Sequence, residues 1–209
     1  MAVIVAHPDD ETLWAGGTVL NHSDWHWTIL SLCRGSDADR APRFARAVQQ
    51  LGGASDIGDL DDGPEQLPLP DAEVEKTVLS LLPETQFDLV LTHSPNGEYT
   101  RHRRHEETGS AVASLWAKGL IRARELWMFA YEDCGRGGKE DPPKAIKTAH
   151  LISRLPNDIW RRKHAIVTDT YGFAPGTYEA DIVPREEAFW CFQSPTEFQD
   201  WLKGERRER

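Results

Sequence analysis

Residues 6–11 read Ala-His-Pro-Asp-Asp-Glu and directly follow the apolar run Val3-Ile4-Val5. Such a run is typical of a buried strand in a parallel sheet, and open α/β sheets bind ligands beyond the carboxyl ends of these strands. Adjacent carboxylates are costly there without a cation. His7 can offer a neutral nitrogen and Asp9 or Asp10 a hard oxygen. This set suits a divalent ion such as zinc and leaves the other carboxylate available as a base.

The same stretch is also typical of a helix N-terminus. Pro8 would lie in the first turn, and the acidic side chains of Asp9, Asp10 and Glu11 would face the positive end of the helix dipole. The two interpretations are compatible, because a strand, a ligand-bearing turn and a helix can follow one another in this order. The stretch therefore predicts the first strand–helix unit of an α/β fold.

A second group of histidines follows another strand pattern. The run Asp88-Leu89-Val90-Leu91-Thr92 is followed by the loop signal His93-Ser94-Pro95-Asn96-Gly97, and then by His102 and His105. If residues 101–117 form a helix, the two later imidazoles share one face of its first turn, where one can bind a metal while the other reaches the substrate. His93 itself would support a ligand or simply end the strand.

Strand and helix patterns alternate along most of the chain. The sequence predicts strands over 2–6, 25–32, 88–92, 125–131 and 149–154, and helices over 10–22, 42–51, 72–82, 101–117, 158–168 and 196–203. This alternation predicts a Rossmann-like three-layer α/β/α fold with a mostly parallel sheet. Right-handed crossovers would bring the strand ends before His7 and His93 to one edge of the sheet. The length favours one domain over residues 1–209.

Composition excludes several classes of protein. The net charge is −10, and lysine and arginine form no stripe, so we expect no nucleic-acid partner. No apolar run is long enough for a membrane span and no signal-peptide pattern is present, so we expect a cytoplasmic protein. Cys33, Cys134 and Cys191 are odd in number and widely spaced, which disfavours a disulfide framework or a thiolate zinc site. Homo-oligomerisation stays open.

Together the two motifs resemble those of the LmbE-like or PIG-L-like zinc-dependent N-deacetylases. The resemblance rests on His-Pro-Asp-Asp-Glu at 7–11 after the first strand, and on Gly-Glu-Tyr at 97–99 with the His-x-x-His of 102–105 after a later one. It covers roughly the first half of the chain, to about Tyr131. Supporting motifs occur at 14–18, 34–35, 51–52 and 61–63.

The resemblance implies a role for each residue of the motifs. His7, Asp10 and His105 would bind one zinc ion per chain, a site that other divalent metals can also fill, and would leave a position for water. Asp9 would be the general base. His102 would stabilise the oxyanion or protonate the leaving amine. The implied fold is the α/β fold predicted above.

Substrate contacts are predicted less directly. The resemblance implies a role for Arg40 and Tyr99, although the spacing Tyr99-Thr100-Arg101-His102 is one residue longer than the Tyr-Gly-His of the commonest family pattern. Trp14 lies one helical turn beyond Asp10 and is placed to wall the cleft.

The implied reaction is removal of an N-acetyl group from a small-molecule amino sugar or an N-acetylglucosaminyl conjugate. Two alternatives stay open: an α/β protein that binds a metal or small ligand without hydrolysis, and an amidase that acts on a thiol conjugate or another non-sugar amide.

Overall fold

The computed structural model describes residues 1–98, 102–132 and 143–208. The strands in these ranges are β1 (Ala2–Val5), β2 (Thr28–Cys33), β3 (Ala54–Leu60), β4 (Gln86–Thr92), β5 (Arg122–Phe129), β6 (Tyr131–Glu132), β7 (Lys144–Ala145), β8 (Leu151–Arg154) and β9 (Glu186–Phe192). The helices are α1 (Asp10–Asn21), α2 (Arg40–Leu51), α3 (Asp71–Leu81), α4 (Arg103–Ala117), α5 (Asn157–Ala165), α6 (Tyr178–Asp181) and α7 (Pro195–Glu208), with a π-helical turn at Ile166–Thr170.

The central sheet has seven strands in the order β3-β2-β1-β4-β5-β9-β8. Strands β3, β2, β1, β4 and β5 run parallel, whereas β9 pairs antiparallel with both β5 and β8. Helices flank this sheet, which confirms the predicted α/β fold with a mostly parallel sheet. None of the helices in the described ranges combines the length and the apolar character needed to cross a membrane.

Two strands of the sheet are absent from the sequence prediction. Strand β3 reads Ala-Ser-Asp-Ile-Gly-Asp-Leu and is mostly exposed at the sheet edge, so it lacks the apolar alternation that marks a strand. Strand β9 contains the apolar run Ala188–Phe192, but a short continuous apolar run does not distinguish a strand from a helix segment by periodicity.

The chain changes direction across the sheet between β1 and β4. Ala2 lies opposite Thr28 of β2 on one side, and Ile4 lies opposite Thr92 of β4 on the other. The strands that follow β1 extend to one side, and β4 starts the other half. This is the topological switch point at which doubly wound sheets form a crevice, and the predicted ligands follow the two strands that border it.

A buried ion pair fixes helix α1 against the sheet. Lys163 Nζ lies 2.7 Å from Glu187 Oε1, and neither side chain is exposed. The same carboxylate accepts hydrogen bonds from the amides of Gly17 and Thr18 at 2.7 and 2.6 Å. A Cβ on Gly17 would lie 2.4 Å from the side chain of Leu155, so this close approach requires glycine.

Replacing Lys163 with methionine is expected to lower the free energy of unfolding by about 3–5 kcal/mol, because it leaves the Glu187 charge buried without its partner. Urea denaturation measures the loss. Lys203→Met is the matched control, since Lys203 pairs with Asp200 at 3.0 Å with both side chains about two-thirds exposed, and its loss is expected to be below about 1 kcal/mol. Equal losses in the two variants would contradict the prediction.

Candidate metal and catalytic site

A cavity of about 360 Å³ opens beyond the ends of β1 and β4. Its walls come from the turn after β1, the start of α1, the segments after β2 and β3, and the start of α4. Helix α6, from the second half of the chain, completes the wall. The lining residues are His7, Pro8, Asp9, Asp10, Leu13, Trp14, Arg34, Arg40, Asp62, His102, His105, Tyr178, Glu179 and Ile182.

The structure brings the predicted metal ligands together on one side of this cavity. Nδ1 of His7 lies 3.2 Å from Oδ2 of Asp10 and 3.2 Å from Nε2 of His105, and the last two atoms are 3.3 Å apart. Ligand atoms placed about 2.0–2.1 Å from a tetrahedral zinc are separated by roughly 3.3–3.4 Å. The ligand atoms of His7, Asp10 and His105 form a triangle. This triangle has the dimensions of one face of a tetrahedral zinc coordination shell.

Each histidine of the triangle has one ring nitrogen that faces away from the other two ligands, and a carboxylate lies beside this outer nitrogen. Nε2 of His7 lies 3.1 Å from Oδ1 of Asp62, and Nδ1 of His105 lies 2.7 Å from Oε2 of Glu98. In the tautomers that these carboxylates favour, the outer nitrogens carry the protons and the inner lone pairs converge with Asp10. Converging lone pairs repel unless a cation lies between them, so the donor set fits a divalent metal.

Electrostatics keep the carboxylates around the triangle ionised. Although burial alone would raise its pKa, Asp10 has a pKa well below its usual value because His105 and His93 lie beside it. Burial likewise opposes ionisation of Glu98, but His93 and His105 lower its pKa to about 2. Asp62 has a lowered pKa despite its burial, because His7, Gln66 and Arg34 donate to it.

Asp62 and Glu98 are functional candidates to which the sequence analysis gives no role. Both lie in motifs quoted above, but neither forms a regularly spaced pair with another candidate ligand, as His102 and His105 do. Their common signal is position, since Asp62 lies two residues beyond β3 and Glu98 lies in the loop after β4, and both loops reach the ligand edge of the sheet. Arg34 also binds Asp62 at 2.6 Å.

His93 occupies a supporting position. Its Nε2 accepts the amide hydrogen of Ala6 at 3.0 Å, and its Nδ1 lies 3.0 Å from Oε1 of Glu98. Its ring stacks on His105 with centroids 4.0 Å apart. Although donor atoms of Asp10, His93 and His105 also lie within 4.8 Å of one another, the lone pair of His93 is already engaged. His93 therefore holds Glu98, which in turn holds His105.

Asp9, the predicted base, faces the cavity but lies outside the triangle. Burial and the adjacent charge of Asp10 raise the pKa of its carboxyl well above the usual value. Its Oδ2 lies 3.2 Å from Nη1 of Arg40, a residue predicted to bind substrate. Raised carboxyl pKa values in clefts are typical of general bases. Arg40 thus contacts the predicted base and also lines the cavity.

His102 lies beside the triangle. Its ring centroid is 4.6 Å from that of His7 and 4.8 Å from that of His105. Burial, together with the neighbouring His105 and His7, lowers the pKa of His102 to about 4, so the imidazole is neutral near pH 7. Its buried Nδ1 has no hydrogen-bond partner among the described residues. A neutral ring with a free nitrogen is able to take up a proton during a reaction.

The remaining predicted contacts have different positions. The indole of Trp14 is almost fully buried, and its Nε1 donates to Oδ1 of Asp10 at 3.1 Å while the residue lines the cavity. Tyr99 lies outside the described residues. Tyr178, Glu179 and Ile182 line the cavity without any signal in the sequence, because their motif-free segment lies beyond the half of the chain that carries the motifs.

The motifs that form this site match a known family. The profile described as PIG-L: GlcNAc-PI de-N-acetylase matches residues 2–116, more than half of the chain. The chain belongs to the PIG-L family. The matched part of this PIG-L protein contains every residue of the triangle and both outer carboxylates, whereas α6 lies outside it. No curated protein matches the sequence.

Solved structures share the fold at low sequence identity. The N,N'-diacetylchitobiose deacetylase of Pyrococcus horikoshii has a TM-score of 0.66 and 18% identity, over 92% of this chain and 83% of that one. A deacetylase of the teicoplanin biosynthetic pathway has a TM-score of 0.63 and 14% identity, over 92% and 98%. The 4-carboxy-2-hydroxymuconate hydratase GalB of Pseudomonas putida KT2440 has a TM-score of 0.61 and 14% identity, over 91% and 94%. The fold thus occurs with more than one reaction.

Proposed function

We propose that this PIG-L family protein is a zinc-dependent N-deacetylase that hydrolyses the acetamide of an amino sugar or an N-acetylglucosaminyl conjugate. The observation that carries the proposal is the convergence of donor atoms from His7, Asp10 and His105, with the separate carboxylate of Asp9 in the same cavity. A structural zinc site would need a fourth protein ligand, whereas a catalytic site needs three and a nearby base.

The side chains have distinct parts in the proposed hydrolysis. His7, Asp10 and His105 would hold a divalent cation, which would supply Lewis-acid polarisation of the amide carbonyl and of the attacking water. Asp9 removes the proton from that water, and its raised pKa makes it a stronger base. His102, neutral at the start, takes up the proton that Asp9 removed from the water and delivers it to the leaving nitrogen, so that both side chains return to their initial protonation states. Acetate and a free amine are the products.

The cavity supports a sugar-type substrate. Its walls carry the guanidinium groups of Arg34 and Arg40 and the polar side chains of Tyr178 and Glu179, which suit hydroxyl groups. Its volume lies at the lower end of the range of small-ligand sites. The Pyrococcus neighbour, named as a deacetylase of N,N'-diacetylchitobiose, supports the same class.

The two alternative functions differ in the role that they give to Asp9. A pure binding protein has no need for a buried carboxylate of raised pKa beside the metal ligands, so Asp9 favours an enzyme. An amidase for a thiol conjugate or another non-sugar amide would use the same machinery and differ only in its substrate. A single domain over 1–209, a cytoplasmic location and homo-oligomerisation stay predictions from the sequence.

Acetate release with and without metal tests the proposal. Purified protein is incubated with N-acetylglucosamine, N,N'-diacetylchitobiose and a non-sugar N-acetyl amide, before chelation, after chelation and after zinc is restored. We expect acetate from a sugar substrate, its loss on chelation and its recovery with zinc. Release from the non-sugar amide alone would favour the amidase. Bound zinc with no release from any substrate would favour a binding protein.

Replacing Glu98 with glutamine is expected to weaken zinc binding roughly 10–100-fold, since the outer partners of metal-binding histidines have effects of this size. The amide bears no charge to fix the proton on Nδ1 of His105. Competition with a zinc-binding dye measures the affinity. Glu84→Gln, an exposed carboxylate in the turn before β4, is the control and should keep wild-type affinity. Unchanged affinity in Glu98→Gln would contradict the assigned role.

A further inference from the structure

The backbone of Asp9 has an unusual conformation that needs support. Its φ is 109°, in a region that side-chain-bearing residues rarely adopt. Residues held in such conformations cluster at active sites and persist only when their surroundings fix them. The amide of Asp9 donates to Oε2 of Glu11 at 3.0 Å. Glu11 therefore holds the turn that aims the proposed base into the cavity.

Glu11 is itself fixed from the second half of the chain. Its side chain is fully buried, and its Oε1 accepts the hydroxyl hydrogen of Tyr171 at 2.7 Å. Thr12 also donates its hydroxyl to the same oxygen. The ring of Tyr171 is only 4% exposed. One buried carboxylate thus connects this distant phenol, 160 residues further along the chain, to the amide of Asp9.

The backbone around Tyr171 is fixed by contacts of its own. Tyr171 follows the π-helical turn Ile166–Thr170, a feature often found at functional sites. Arg43 of α2 donates from Nη1 to the carbonyl of Tyr171 at 2.5 Å. Gly172 has a φ of 79°, in the left-handed region that favours glycine. The backbone that carries the phenol is therefore anchored to α2 through Arg43.

The same segment also contacts the partner of the Asp9 carboxylate. The guanidinium carbon of Arg40 lies 4.8 Å from the ring centroid of Phe173, a distance at which cation and ring attract. Arg40 in turn binds the Asp9 side chain at 3.2 Å. Residues 171 and 173 thus restrain the proposed base at its backbone and at its carboxylate.

We propose that Tyr171 is a positioning residue for Asp9, acting through Glu11. The inference rests on the proposed function for its effect on turnover, but its structural part stands independently. Tyr171 does not line the cavity and contacts no metal ligand among the contacts described, whereas its phenol lies close enough to the Asp9 backbone to interact with it as well. Its role is therefore to fix the direction of the base. Tyr171 lies outside residues 2–116, the part of the chain that the family profile matches.

Tyr171→Phe tests the proposal because it removes the hydroxyl and keeps the ring. Hydrogen exchange at the Asp9 amide, followed by NMR, is expected to accelerate roughly fivefold, about the effect of one hydrogen bond. Turnover of the sugar substrate should fall roughly 10–100-fold in kcat, the effect of a small misplacement, with KM within about twofold and zinc content unchanged. Glu11→Gln provides a second variant, which should likewise have a lower kcat and a KM within about twofold of the wild-type value.

Tyr131→Phe is the matched control. Tyr131 is also buried, and its hydroxyl donates to the carbonyl of Glu186 at 3.3 Å and accepts from the amide of Ala188 at 3.4 Å, two residues that do not line the cavity. This variant should keep wild-type exchange at Asp9 and wild-type kcat. Wild-type exchange in Tyr171→Phe, or an equal change in Tyr131→Phe, would overturn the proposal. If the unaltered protein turns over no substrate, the proposed function fails, and the exchange rates still decide the role of Tyr171.

Discussion

Asp9→Asn is expected to lower kcat for acetate release by roughly 10²–10⁴-fold, the usual contribution of a positioned general base. The amide has nearly the shape of the carboxylate but accepts no proton from the attacking water. Asparagine is nearly isosteric with aspartate and keeps the backbone amide that binds Glu11, so we expect the backbone conformation at φ 109° to be retained. Zinc content should stay at about one ion per chain, because no donor atom of the triangle belongs to Asp9.

Steady-state kinetics and elemental analysis of the same preparation check both halves of this expectation. Asp24→Asn, an exposed residue in the turn after α1, controls for the loss of one negative charge and should leave both values unchanged. Wild-type kcat in Asp9→Asn would remove Asp9 as the base and make His102 the next candidate to test in the cavity. Loss of zinc in Asp9→Asn would instead place Asp9 among the ligands.

The candidate ligands could be predicted from the sequence because each lies in a short motif that follows a strand. His7 and Asp10 follow β1, and His102 and His105 open the helix after β4. Right-handed crossovers and a parallel sheet then bring such loops to one edge, whatever the details of packing. Local sequence and a general topological rule were therefore sufficient to place these side chains in one cavity.

The residues that support the ligands and the base could not be predicted from the sequence, because their roles depend on contacts between distant parts of the chain. Asp62 and Glu98 are single acidic residues in loops, and only the structure shows which imidazole each one meets. Tyr171 and Glu187 reach α1 from sequence positions about 160–170 residues away. No periodicity or spacing encodes such contacts. Their buried carboxylate and phenol groups resemble ordinary core residues until their partners are known.

Strand β3 illustrates a different limit. It is recognisable by its pairing with β2, with Thr28 opposite Ala54 and Ile29 opposite Ser55, and not by its own composition. An edge strand has one exposed side and often carries charged residues, which discourage pairing with other chains. Tertiary pairing therefore outweighs the local signal at residues 54–60.

His105→Ala is expected to abolish stable zinc binding together with turnover. It removes one vertex of the triangle, so the affinity should fall by more than the roughly 10–100-fold that the loss of an outer partner costs. Because a metal that binds only the native state stabilises it, chelation should lower the Tm of the wild type. The same chelation should leave the Tm of His105→Ala unchanged, a result that does not depend on knowing the substrate.

His26→Ala is the matched histidine control, since His26 is exposed and lies in the turn before β2, away from the cavity. It should keep its zinc and its response to chelation. Donor atoms of His7, His102 and His105 also lie within 4.8 Å of one another, so a different ligand set has a specific signature. Zinc retained in His105→Ala but lost in His102→Ala would move the metal toward His102. That outcome would also deprive the leaving amine of its proposed proton donor, because a nitrogen bound to zinc cannot carry the proton.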